Sequence, residues 1–180
     1  MREFIYQVDA KDRITSVDAN WVAFAAENGL PALTAEAVTG KSLWDYVSNP
    51  TSKQFYKIFM AEVRNTGRTI TVPFRCDSPE CRRFMKLAIQ SLSHGALEFR
   101  SVLIREEPRP RVNLLDPGFP RTEEFLTMCA WCKKVKAPDW VEAEAAVQQL
   151  KFFDQPQLPQ ITHGICENCI HSLRLIIKSN

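Results

Sequence analysis

The chain has 180 residues, 45% of them hydrophobic and 24% charged, a balance that supports a packed core in one or two units and excludes wholesale disorder, collagen and coiled coil. Its 23 basic and 21 acidic side chains give a formal charge of +2, which excludes the strongly basic surface that would make nucleic-acid backbone binding the main business. No apolar run reaches membrane-span length, and the opening Met1-Arg2-Glu3-Phe4 lacks the apolar stretch of a signal peptide, so a reduced, cytoplasmic setting without a membrane is expected.

Phe4–Asp9 and Arg13–Asp18 are β-branched or aromatic segments around Ala10-Lys11-Asp12, the pattern of a hairpin. Asn20–Asn28 then places Trp21, Phe24, Ala25 and Asn28 on one helical stripe, and Gly29 stands at the position of a left-handed C-terminal cap. A second helix opens with Asn49 as cap and Pro50 at its first position, presents Phe55, Ile58, Phe59 and Val63 on one face, and stops before Gly67. After it the period changes to two. Thr69–Arg75, Arg83–Leu92 and Leu97–Ile104 read as three strands, the last two joined by Ser93-His94-Gly95. Segregated helices predict an α+β fold in which they cover one face of a five-stranded antiparallel sheet. Trp21, Phe24, Trp44, Phe55, Phe59 and Phe74 would lie between helices and sheet, as a filled core or as the lining of a ligand pocket.

These residues carry a resemblance. Ile14-Thr-Ser-Val-Asp-Ala-Asn20, a helix, and then Val38-Thr-Gly-Lys-Ser-Leu-Trp-Asp-Tyr-Val47 are similar to the pattern of PAS domains, in motif and in element order over residues 1–105. The resemblance implies a sensory or dimerisation module, often holding a small ligand, and no catalysis. The motif of the flavin-photoreactive members is missing, and no predicted helix of this part offers an axial His or Cys to a haem.

Arg105-Glu-Glu-Pro-Arg-Pro-Arg111 and Asp116-Pro-Gly-Phe-Pro120 hold four prolines within thirteen residues, which predicts a linker over residues 106–120. It would separate the PAS-like domain from a small module over residues 121–180.

That module holds Cys129-Ala-Trp-Cys132 and Cys166-Glu-Asn-Cys169, with 33 residues between the pairs. Two residues between cysteines let a tight knuckle turn both sulfurs inward, and two such pairs complete a tetrahedral shell for zinc. The second pair falls at the start of a terminal helix, where free amides favour thiolates. Between the pairs, Asp139 would cap a helix from Trp140 to about Phe153 with Glu142 as its box partner, so the module departs from the treble-clef pattern. His163 fits a hydrogen-bonding neighbour of the thiolates rather than a ligand. The run Met128-Cys-Ala-Trp-Cys-Lys-Lys-Val135, then Trp140 and Glu142, then Thr162-His-Gly-Ile-Cys-Glu-Asn-Cys169, resembles a tail at the ends of bacterial two-component signalling proteins. That resemblance implies company with sensor kinases and receivers.

Elsewhere the bland readings prevail. Cys76 and Cys81 are expected to be ordinary thiols on a hairpin tip, although they could face each other and oxidise. His94 and His171 are expected to be structural or solvated. Gly40-Lys41-Ser42 is not a phosphate loop, because Ala35 stands where that motif needs its earlier glycine. No catalytic constellation is found. The expectation is therefore a non-catalytic, cytoplasmic signalling protein and homodimer, with a PAS-like sensor or interaction domain and a structural zinc module. It would act on a kinase, receiver or regulator in trans.

Two alternatives stand beside it. A zinc-dependent nucleic-acid-binding regulator would use Lys133, Lys134 and Lys136 beside Trp131; a thiol-redox switch would join Cys129 to Cys132 or Cys166 to Cys169. Residues 111–180 carry 8 basic and 8 acidic side chains. Four thiolates around a divalent metal would add about −2 there, so nucleic acid is not expected.

Overall fold

The computed structural model describes residues 2–47 and 49–179. Strands β1 (Glu3–Val8) and β2 (Ile14–Val17) form the expected hairpin. Helices α1 (Ala19–Glu27), α2 (Ala35–Val38) and α3 (Pro50–Thr66) follow, and then strands β3 (Ile70–Arg75), β4 (Cys81–Ser91) and β5 (Leu97–Pro108). The five strands make one sheet in the order β2-β1-β5-β4-β3.

Local sequence explains the helix ends. The Asp18 carboxylate accepts from the Trp21 N–H at 2.7 Å and starts α1. Asn49 Oδ1 accepts from the Ser52 N–H at 2.8 Å, Pro50 occupies the first helical turn where no donor is needed, and α3 ends at Gly67 with φ of 72°. Only a residue without Cβ adopts that left-handed cap without strain. Replacing Asn49 with Ala orphans the Ser52 amide and is expected to cost about 1 kcal/mol, readable as a lower denaturation midpoint at unchanged slope.

Alternation along the strands decides which face is covered. Across β1 and β5, Phe4, Tyr6 and Val8 stand opposite Ser101, Phe99 and Leu97. Phe4 packs against Phe24 of α1 at 4.4 Å between ring centroids, and Phe99 stacks on Tyr6 at 4.5 Å and on Tyr56 of α3 at 6.1 Å. Both helices therefore cover the same face. Phe55, Phe59, Met60 and Val63 of α3 and Ile70, Val72, Met85, Leu87 and Ile89 of β3 and β4 are all buried. The opposite face is polar: Glu98 accepts from Gln7 at 3.0 Å, Gln90 at 2.9 Å and Arg100 at 3.0 Å, joining β1, β4 and β5.

The aromatic stack has a consequence at high pH. Burial pushes the Tyr56 phenol up to about 12 and raises Tyr6 as well, with the neighbouring Tyr56 adding to the latter. A folded-state pKa above the unfolded value of about 10 gives stability that is complete below pH 10 and lost as pH rises towards 12. The loss expected from Tyr56 is on the order of 2 kcal/mol, and denaturant titrations across that window should show a smaller loss in Tyr56→Phe.

A second sheet follows in the chain. Strands β6 (Arg121–Cys129), β7 (Val135–Lys136), β8 (Trp140–Val141) and β9 (Leu158–Gly164) pair in the order β8-β7-β6-β9, with β9 parallel to β6. Helix α4 (Ala143–Gln149) lies between β8 and β9 in sequence and helps supply the long crossover that a parallel pair requires. Helix α5 (Glu167–Ser179) ends the chain. A core of Val112, Leu114, Met128, Val135, Ala143, Ala146 and Leu158 is buried beneath this sheet and α4.

Two expectations are corrected. The helix predicted from Trp140 to about Phe153 is shorter, and Trp140 and Val141 are strand. Glu142 takes the cap position without a capping bond, because its carboxylate is held by Arg75 at 2.8 and 3.0 Å. The proline-rich stretch is not an open linker either. β5 continues to Pro108, the Arg109 and Val112 amides donate to the carbonyls of Glu80 and Pro79 at 3.0 Å, and Val112 and Leu114 are core residues. Proline at a strand end loses no needed donor, so proline density here did not break structure.

By contacts the chain forms two compact units, residues 1–73, 85–104 and 173–180, and residues 74–84 and 105–172. It passes from one to the other inside β3, β4, β5 and α5. No helix among the described residues is long and apolar enough to cross a membrane.

Candidate metal centre

Cys129, the last residue of β6, begins a tight turn in which its N–H donates to the Lys134 carbonyl at 2.7 Å and its carbonyl accepts from the Lys133 N–H at 3.0 Å. The turn needs a left-handed residue, and Lys133 supplies it at φ of 61°. Cys132 lies inside this first knuckle. Beside it, the Ala130 N–H donates to the Gly164 carbonyl at 2.8 Å, tying the turn to the end of β9. A Cβ on Gly164 would meet Thr127 Cγ2 at 3.2 Å, so the close approach of β9 to β6 favours glycine there. Cys166 then caps α5, its carbonyl accepting from the Ile170 N–H at 3.0 Å, and Cys169 sits in the first helical turn.

The four cysteines meet in one cluster, with all sulfurs within 4.8 Å of one another. Cys132 and Cys166 approach to 3.7 Å. A tetrahedron with metal–sulfur bonds of about 2.3 Å has sulfur–sulfur edges of about 3.8 Å. That contact joins different CxxC pairs, whereas the disulfides expected for a redox switch lie within each pair.

Backbone dipoles are aimed at the sulfurs. The Cys166 N–H donates to Cys129 Sγ at 3.4 Å. Hydrogen bonds from the Cys132 and Cys169 thiols, with the Cys132 and Cys166 amides, hold Cys129 far below the ordinary thiol range. The same anion pushes Cys132 up to about 12 and raises Cys169 further. One thiolate surrounded by retained protons describes a donor set poised for a cation. Zinc fits the set, because four soft sulfurs leave no position open for water or substrate. Its binding must expel at least the protons of Cys132 and Cys169, so affinity is expected to fall by at least about 100-fold per unit drop in pH near neutrality. Chelator competition at two pH values measures that slope.

His163 lies on β9 near the cluster with its residue surface exposed, and partial desolvation of its ring together with the Lys133 charge lowers its pKa. Cys76 and Cys81 are free and do not face each other: the Cys76 amide pairs with Arg83, and Cys81 with Ser78. Burial raises the Cys76 thiol and makes it a poor nucleophile.

The six aromatic residues read as pocket or core are spread over several elements, with Phe55 and Phe59 in contact at 6.0 Å between ring centroids. Phe55 and Phe59 are core, and Trp21 and Phe24 are half-buried on α1. Trp44 donates to Asp12 at 3.1 Å with Lys53 and Lys57 over its ring, and Phe74 belongs to the second unit.

The sequence reading missed a buried ion cluster in the second unit. Asp77, 2% exposed, is paired with Arg75 and, at 3.3 Å, with Arg109; Arg109 also reaches Glu144 at 3.3 Å and the Ser78 carbonyl at 2.6 Å. Arg82 pairs with Glu144 at 2.9 Å. The Arg75 N–H donates to the Trp131 carbonyl at 2.8 Å, so the β3–β4 tip grips the first knuckle. Burial works against the Arg75 charge, but hydrogen bonds to Asp77 and Glu142 outweigh it and raise its pKa.

No protein family and no curated protein matches the sequence. Among solved structures, the chain is similar to the photoactive yellow protein domain of the sensor histidine kinase Ppr from Rhodospirillum centenum, at 16% identity and a TM-score of 0.42, over 56% of this chain and 91% of that one. It is also similar to a domain of an HTR-like protein from Haloarcula marismortui, at 14% identity and 0.39, over 58% and 100%. A third is the Aer2 receptor from Vibrio cholerae, a dual PAS-heme oxygen sensor, at 9% and 0.37, over 57% and 95%.

Proposed function

We propose that the protein is a non-catalytic signalling component: a PAS-like sensing or interaction unit joined to a structural zinc unit, acting on a kinase, receiver or regulator in trans. The observation that carries this reading is the closed four-sulfur cluster, whose donors are all protein groups. Zinc at such a site supplies folding energy and a fixed surface rather than a reactive water. The sensing half rests on the α+β sheet with helices on one face and on the two sequence patterns that resemble PAS domains and the two-component tail. The cytoplasm is the setting that fits reduced cysteines, and homodimerisation fits a sensor of this kind. With 11 basic and 12 acidic side chains in the second unit, no net positive charge favours nucleic acid.

The reading is tested by adding the purified zinc-loaded chain to the sensor kinases and receivers of its own host and following autophosphorylation and phosphotransfer. A changed rate with at least one of them, lost when the four cysteines are replaced, is the expected result. Unchanged rates throughout, or hydrolytic activity of the chain itself, contradict it.

A further inference from the structure

Beside the first knuckle, within the second unit, lies a cavity of about 260 Å³. That is many times the space one water needs, enough for a small organic molecule. Leu114, Met128 and Ile161 line it, the first two fully buried, while His163 on the rim is exposed. The cavity thus runs from an apolar floor to an open mouth.

Its polar groups are not equivalent. Arg121 is held to backbone by three of its five N–H donors, to the carbonyls of Pro159 and Leu114 at 3.0 Å and of Asp116 at 2.6 Å. Asp77 is neutralised by Arg75 and Arg109. Lys133 is different: its Nζ donates to the Ala130 carbonyl at 2.9 Å and has no carboxylate partner among the described residues. An ammonium carries three donors, so two are left for a ligand. Lys133, a cation with spare donors beside the backbone-held Arg121 and above an apolar floor, matches an amphiphilic monoanion. A more highly charged anion would be repelled by the net negative charge of a neighbouring metal–thiolate centre.

We infer that this cavity binds a small monocarboxylic acid with an aliphatic or aromatic body, its carboxylate on Lys133 Nζ and its body against Leu114, Met128 and Ile161. This adds a ligand site in the second unit and is independent of whether the PAS-like unit holds a ligand.

The test is methyl-detected NMR of the zinc-loaded full chain with benzoate as probe, benzamide as its neutral counterpart and chloride at matched ionic strength. Saturable shifts of the Leu114, Met128 and Ile161 methyls are expected, with binding at least tenfold weaker for benzamide and for benzoate in Lys133→Met. Ile161→Phe, which fills the cavity and keeps Lys133, should abolish the shifts of Leu114 and Met128. Equal affinity for benzoate and benzamide, unchanged affinity in Lys133→Met, persistence in Ile161→Phe, or no saturable shift overturns the inference. Zinc content is measured on each variant, and if Lys133→Met loses metal, the Ile161→Phe result decides.

Discussion

Stripping zinc with a chelator, or replacing Cys166 with Ser, is expected to unfold the part of the chain between residues 105 and 172 while α1 and α3 keep their structure. The hydrophobic cluster of that unit is small: among the described residues it has seven buried members, two of them alanines. Burying a larger aliphatic side chain contributes only about 1.5–3 kcal/mol, and the entropy of ordering each residue opposes it. A structural zinc contributes about 10–16 kcal/mol at neutral pH, comparable to the whole stability of a domain. Nothing inside the unit replaces that. Without metal, hydrogen bonds hold Cys129 as an anion, and the knuckle is left with backbone bonds such as those to the Lys134 and Gly164 carbonyls and from the Arg75 amide to the Trp131 carbonyl. Amide hydrogen exchange reads the outcome directly: protection should vanish across β6, β9 and α4 and persist in α3, whose Phe59 and Val63 are buried against the other sheet. Retained protection in β6 and β9 would show that the fold does not depend on metal.

The second large effect is expected from the ion cluster. Arg75→Met leaves Asp77, 2% exposed, without its closest partner, and Glu142 without its bidentate one. Leaving a buried carboxylate unpaired costs about 3–5 kcal/mol, and Asp77 keeps Arg109 at 3.3 Å, so a loss of about 2–3 kcal/mol is expected, still more than an exposed pair contributes. Exposed pairs such as Arg2–Glu27 at 2.6 Å should cost under about 1 kcal/mol when broken, and serve as the internal control. Asp77→Leu in the Arg75→Met background should recover only part of the loss, because it also takes a partner from Arg109, which keeps Glu144 and the Ser78 carbonyl. Denaturant midpoints of the zinc-loaded proteins give the cycle. A loss below about 1 kcal/mol for Arg75→Met would mean that solvent already reaches the cluster.

The sheet and its helices were legible because each rests on local chemistry. Asn49 and Pro50 start α3 and Gly67 stops it, and a period of two marks β3 to β5. The cysteine knuckles were legible for the same reason: CxxC spacing describes a turn, and a turn is a local object. What could not be read was long-range pairing of charges. Arg75, Asp77, Arg109, Glu142 and Glu144 are scattered over the sequence and each looks like a solvated residue; only folding brings them together. The proline-rich stretch misled for a related reason, since its buried residues, Val112 and Leu114, are few, and their partners lie in other elements. Glu142 illustrates both: the capping pattern around it was sound, but an arginine 67 residues away took its carboxylate.

The central claim is a closed four-thiolate zinc site, and cobalt substitution with elemental analysis tests it most directly. The account predicts one metal per chain, intense visible and charge-transfer bands of tetrahedral cobalt in four sulfurs, and loss of those bands on replacing any one of Cys129, Cys132, Cys166 or Cys169. Folded protein without metal, or cobalt bands unchanged in any of the four variants, would contradict it.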